Sequence, residues 1–138
     1  MFKIRVLSVG KTKESWLDEG IHEYVKRLQP TATFEFVWAK NDAHLIQLSV
    51  GHLLICLDPA GAMMTSEQFA SLLEAKLVQG GSRITFVIGG PEGLPPELKK
   101  DTLLSLSPMT TTHQIARLLI LEQIYRAFEI LKGSPYHK

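Results

Sequence analysis

Residues 84–94 read ITFVIGGPEGL, an unbroken apolar run that stops on two adjacent glycines. A run of that kind is expected of a parallel strand covered on both faces. The glycines that follow stand where open α/β sheets bind ligands, outside the carboxyl ends of their strands. Residues 53–61, LLICLDPAG, repeat the arrangement. The N-terminal segment 2–9, FKIRVLSV, alternates instead, with Ile4, Val6 and Ser8 on one face. Two further strands are predicted, over 33–38 (TFEFVW) from its β-forming residues and near Leu103–Leu106.

Helical spacing fills the intervals. Residues 14–28 align Leu17, Ile21, Tyr24, Val25 and Leu28 on one stripe, and 66–78 align Phe69, Leu72, Leu73 and Leu77 on another. Thr65 with Gln68 three positions on is a capping-box pattern, and Gly80-Gly81 stops that helix. The alternation predicts one α/β domain over 1–138, a mostly parallel sheet flanked by helices. The last helix, 113–131, is apolar almost all the way round: Ile115, Leu118 and Leu119 lie far from Ile124, Phe128 and Leu131. Such a helix needs cover on more than one side. The sheet supplies one cover and a second subunit the other, so a homodimer is expected.

Composition narrows the function classes. At 138 residues, 45% hydrophobic and 21% charged, the chain reads as an ordinary globular domain. It has no apolar run long enough to span a membrane and no signal-peptide pattern, which points to the cytoplasm. Cys56 is the only cysteine and lies within LLICL, as a buried, inert thiol would. The five histidines show no metal-ligand spacing, and no metal is expected. A net charge of +1 argues against a general nucleic-acid binder and leaves room for recognition of a folded RNA through a local patch.

Three loops carry the candidate chemistry. The GGPEG turn lacks the Lys-Ser/Thr ending of a phosphate loop and the GxGxxG spacing of a dinucleotide site. By itself it is either a tight turn or a ligand loop. With LDPAG at a neighbouring strand end and LSLSPMTTTHQ (104–114) running into the last helix, it suggests a pocket lined mostly by backbone.

The order LDPAG, TSEQFA, FVIGGPEGL and LSPMTTTHQIARLLILEQIYRAFEILKGSPYHK resembles the RlmH family of ribosomal RNA large-subunit methyltransferases, minimal members of the SPOUT superfamily. The likeness is strongest from residue 53 to the end. It implies a SPOUT-type α/β knot, the C-terminal chain threading a deep trefoil knot, and S-adenosyl-L-methionine held by Leu57, Gly90 and the run Ser107, Pro108, Met109, Thr110, Thr111 and Thr112. It implies methylation of N3 of a pseudouridine in helix 69 of 23S rRNA on the assembled 70S ribosome, with His137 and Tyr136 catalytic and the pocket completed by the chain's own last residues. Lys138 stands where relatives are basic. His113, Arg117, Glu122 and Arg126 are implied as substrate or interface residues, Arg117 as an RNA contact. The departure lies at 40–52, KNDAHLIQLSVGH, where relatives carry a longer, charge-rich helix. That shortening motivates one rival, a non-catalytic ribosome-associated ligand-binding module of the same fold. Another rival is a knotted methyltransferase acting on a different RNA, such as tRNA.

Overall fold

The apolar runs become the strands of one parallel sheet in the computed structural model, which describes residues 1–100 and 102–137. In chain order the strands are β1 Phe2–Val9, β2 Ala32–Ala39, β3 Leu54–Met63, β4 Arg83–Ile88 and β5 Thr102–Ser105. They pair in the order β2-β1-β4-β3-β5, every pairing parallel. The helices are α1 Ser15–Leu28, α2 Asp42–Ser49, α3 Ser66–Gln79 and α4 His113–Lys132, with a 3-10 turn at Pro96–Leu98. The capping box at Thr65 forms with both of its bonds. Residues 40–52 still fold as a short helix, α2, because Asn41 caps it by accepting from the His44 N–H at 2.9 Å.

The sheet is covered unequally. Ile4 and Val6 of β1, Ile84, Phe86 and Ile88 of β4, and Ile55 and Leu57 of β3 pack with α1, α3 and α4 in the larger core. Leu7, Val87, Leu54 and Cys56 point the other way, into a smaller core closed by Leu45 of α2 with Leu94 and Leu98. Burying each such aliphatic or aromatic side chain contributes about 1.5–3 kcal/mol before chain entropy is charged against it.

One expectation is corrected. LDPAG is not a loop beyond β3 but an irregularity inside it: pairing with β5 breaks after Leu57 and resumes at Ala62. Asp58 causes the break by turning back to accept the Ala60 N–H at 2.8 Å. Within one chain, helix α4 is buried along one stripe and partly exposed on another face. Ala116, Ile120, Leu121, Ile124, Ala127 and Phe128 are buried, whereas Ile115 and Leu119 stay 37% and 39% exposed.

Arg117 lies on the buried stripe of α4, fully enclosed. Its Nε donates to Ser8 Oγ at 2.9 Å, Nη1 to Thr12 Oγ1 at 3.1 Å, and Nη2 to the carbonyls of Val9 and Gly10 at 2.9 and 2.6 Å. The guanidinium stacks 4.8 Å from the Trp38 ring centre. Burial lowers its pKa to about 10, which leaves it charged at neutral pH. The expectation of an RNA contact fails here, because the donors are spent on the end of β1 and solvent does not reach them. Arg117→Met strips partners from two carbonyls and a buried serine hydroxyl, so urea denaturation should find the variant destabilised by about 3 kcal/mol or more. An unchanged midpoint would refute this role.

Candidate active site

The carboxyl ends of β3 and β4 and the segment after β5 enclose a cleft. It is lined by Leu57, Asp58 and Pro59, by Ile88 through Pro91 with Gly93, by Leu106, Ser107, Met109, Thr110 and Thr111, and by His113 and Ala116 of α4. The GGPEG turn closes tightly: Gly93 donates its N–H to the Gly90 carbonyl at 2.9 Å and takes φ +87°. Gly89 packs so closely beneath that a Cβ would stand 2.5 Å from the Gly93 carbonyl. Three segments from distant parts of the chain thus line one cleft.

Six of the eight residues expected at the cofactor line this cleft: Leu57, Gly90, Ser107, Met109, Thr110 and Thr111. Pro108 and Thr112 do not. Thr112 uses its hydroxyl as the cap of α4, accepting the Ile115 N–H at 3.2 Å. Ser107 Oγ accepts the Met109 N–H at 3.0 Å and so shapes its own loop. Asp58, Ile88, Leu106 and Ala116 were missed. Asp58 sits inside the LDPAG motif and was the one with a readable signal; its carboxylate lies 3.6 Å from Lys99 Nζ.

The enclosed space is about 120 Å³ and opens on one side. Beyond the opening runs a wider groove of about 660 Å³ that shares Gly90, Pro91, Thr110, Thr111 and His113 and adds Trp16 and Ile115. His113 therefore stands at the junction. Burial, and after it the charges of Arg117 and Lys13, lower its imidazole below the ordinary 6.5. The ring is neutral at pH 7 and able to accept a proton.

The C-terminal tail lies elsewhere. Gly133, at φ +73°, ends α4 in the left-handed region that favours glycine and turns the chain back. The Tyr136 hydroxyl then donates to Glu122 Oε2 at 2.9 Å, while Arg126 bridges Glu122 at 3.0 Å and meets His137 Nδ1 at 3.2 Å. Tyr125 packs edge-on to Tyr136 at 4.7 Å, and His137 Nε2 bonds Glu67 at the start of α3. That bond holds the Glu67 carboxyl below its ordinary range. Burial and the bond to Glu122 push the Tyr136 phenol up to about 12, so it acts as a donor. Glu122 lies nine residues along α4 from His113, or about 13 Å at about 1.5 Å per residue. The pocket is therefore not completed by the chain's own tail: Tyr136 and His137 gather with Glu122 and Arg126, away from the cleft. Lys138 lies outside the described residues.

Fold and cleft define an α/β protein that holds a small ligand at the carboxyl ends of a parallel sheet. Residues 2–137 match the family model described as Predicted SPOUT methyltransferase. The ribosomal RNA large subunit methyltransferase H of Protochlamydia amoebophila is 55% identical over 140 residues, all of each chain. That of Acetivibrio thermocellus is 40% identical over 158 residues, 99% of each chain. Among solved structures, a Legionella pneumophila protein in complex with the bound cofactor SAM has the same fold at 12% identity, with a TM-score of 0.52 over 92% of this chain and 66% of that one. The chain belongs to the SPOUT methyltransferase family, alongside these ribosomal RNA large subunit methyltransferase H relatives.

Two outcomes test the site's construction. Gly89→Ala forces a Cβ into backbone and should cost about 1–3 kcal/mol in urea denaturation. Gly90→Ala meets only the Val9 side chain, 3.4 Å away, and should cost less than about 1 kcal/mol. For His113 the folded pKa lies below the unfolded one, so its contribution to stability is full above about pH 6.5 and declines as pH falls below that value. His113→Gln should flatten the loss of thermal stability on going from pH 7 to pH 5. Parallel curves for the two proteins would exclude the effect.

Proposed function

We propose that this protein transfers the methyl group of S-adenosylmethionine to N3 of a pseudouridine in helix 69 of 23S rRNA, on the assembled 70S ribosome in the cytoplasm, as a knotted homodimer. The observation that carries the reading is the convergence of the three loops on one cleft with most of the expected cofactor residues in its wall. The lining suits the cofactor: Leu57, Ile88, Leu106 and Ala116 give an apolar slot for adenine, and Gly89 and Gly90 allow the close backbone approach that a polar amino-acid end needs. Asp58 brings a carboxylate toward a cationic ligand. The curated relative aligned over 140 residues has the methyltransferase name, so the shortened 40–52 segment does not by itself favour a non-catalytic module.

When bound, S-adenosylmethionine supplies an electrophilic methyl group on a sulfonium. The residues of the chain then have two tasks, alignment of the base and removal of the N3 proton as the new C–N bond replaces the C–S bond. An imidazole can accept that proton, and His113 and His137 are the candidates. The geometry of α4 supports a role for the partner's tail. Ile115, Leu119, Glu122 and Arg126 are spaced four, three and four apart, on one face. The first two are bare and the last two hold the tail. Two copies of that face packed antiparallel would cover Ile115 and Leu119 and bring each tail toward the other chain's cleft. The small enclosed volume, below the roughly 300 Å³ of ordinary ligand pockets, accords with a cleft finished by a second subunit.

Calorimetry should give saturable, 1:1 binding of S-adenosylmethionine, and the purified protein should methylate 70S particles in preference to naked 23S rRNA. His137→Ala and Tyr136→Phe should each retain cofactor affinity while lowering turnover, the histidine by about 10²-fold or more. Absence of cofactor binding would select the non-catalytic module. Mass spectrometry that finds helix 69 still methylated in cells lacking the protein would sink the substrate assignment.

A further inference from the structure

We infer that the open half of the sheet, on the face that α2 covers only in part, is a phosphate-binding groove that takes the phosphodiester backbone of RNA; its choice of RNA rests on the reading above. On that face β2, β1 and β4 lie in register. Thr33, Lys3 and Arg83 form one row, Glu35, Arg5 and Thr85 the next, and Val37, Leu7 and Val87 the third. Helix α2 covers the apolar third row through Leu45 and reaches the second, where Arg5 donates to the Leu48 carbonyl and Thr85 is buried, whereas Thr33, Lys3 and Arg83 of the first row are exposed. The two polar rows line an open groove of about 670 Å³, with His52 and Leu53 on one side and Gln79 and Gly80 on another.

The charges in this groove do not cancel. Glu35 is the one acidic residue in its lining, and it is engaged by Arg5 at 3.3 Å. Arg5 is further fixed by donating to the Leu48 carbonyl at 2.9 Å, which anchors it at the end of α2. Lys3 and Arg83 are direct partners on adjacent inner strands, about 4.8 Å apart in strand spacing. Among the described residues neither has a carboxylate within ion-pair distance. Like charges directly opposite one another disfavour the sheet unless an anion lies between them. Burial and the charge of Arg5 lower the His52 imidazole, consistent with excess positive potential in the groove.

This placement answers the objection that the chain is too neutral to hold RNA. A net charge of +1 is an average, and here a local surplus sits on a rigid sheet. The groove is at the amino ends of the strands, the cleft at their carboxyl ends, and β1 between them spans about 26 Å. A contact so far from the reacting base fits a large folded RNA and not an isolated nucleotide. It would position the particle without reading sequence.

The test compares the wild type with Lys3→Gln/Arg83→Gln in co-sedimentation with 70S ribosomes and in filter binding to poly(U), each over a series of KCl concentrations. The double variant should bind both at least tenfold more weakly at low salt, with the slope of log affinity against log salt reduced by about 1 to 2. Its affinity for S-adenosylmethionine should be unchanged, and its Tm equal to or above the wild type's because a repulsion has been removed. Should the double variant fold poorly, Arg83→Gln alone, at the first residue of β4, should reduce the slope by about 1. Unchanged affinity and slope on both RNAs would overturn the inference, as would saturation of the groove by inorganic phosphate with RNA binding unaffected. If the wild type binds poly(U) with the expected slope difference but not ribosomes, the groove stands and the ribosomal assignment falls.

Discussion

A single buried cation joins the two ends of this chain. Among the described residues Arg117 has no carboxylate partner, and the desolvation of its guanidinium is offset by four hydrogen bonds and the face of Trp38. Its partners are Ser8, Val9, Gly10 and Thr12, where β1 ends and the chain turns toward α1. The bonds therefore fix the first turns of α4 against the top of the first strand. The loop before α4 is fixed with them, and that loop is one wall of the cleft. His113, one turn earlier on the helix, has its imidazole lowered by burial and secondly by this same charge.

The other walls depend on the absence of side chains. Gly89 lies against the Gly93 carbonyl, and Gly61 lies against the backbone of Leu103 and Leu104, where a Cβ would approach to 2.8 Å. Both close contacts draw separate strand ends together. A pocket built in this way presents carbonyls and N–H groups held by the sheet itself, so its shape costs little side-chain entropy to maintain. Polar side chains join it through Asp58, Ser107, Thr110, Thr111 and His113, beside the apolar Leu57, Ile88 and Leu106.

Much of this was legible because buried parallel strands write themselves as continuous apolar runs. LLICL and ITFVI marked β3 and β4, and the glycine motifs after them marked the cleft. Arg117 was misread, although a signal existed: it shares a stripe with Leu121, Ile124 and Phe128, four, seven and eleven residues on, and a cation inside an apolar stripe is more readily buried than solvated. The docking of the tail was not legible. The bond from Tyr136 to Glu122 depends on the left-handed turn at Gly133, and that from His137 to Glu67 joins residues 70 apart in sequence. Nor did the local pattern show that Asp58 would fold β3 back into register with β5, since an Asx turn at that position is equally compatible with an ordinary loop.

The unequal cover of the sheet explains why charge and length must be read together. Three helices cover one face, whose strand residues are apolar apart from Ser8, the partner of Arg117. The eight-residue α2 reaches across only the carboxyl half of the other face. Along the same two strands Leu7 and Val87 give way to Arg5, bonded to the end of α2, and the buried Thr85, then to the exposed Lys3 and Arg83. The positive charge of this face is thus carried on the strands themselves, by Lys3, Arg5 and Arg83. A whole-chain charge cannot show that placement, whereas the register of neighbouring strands does.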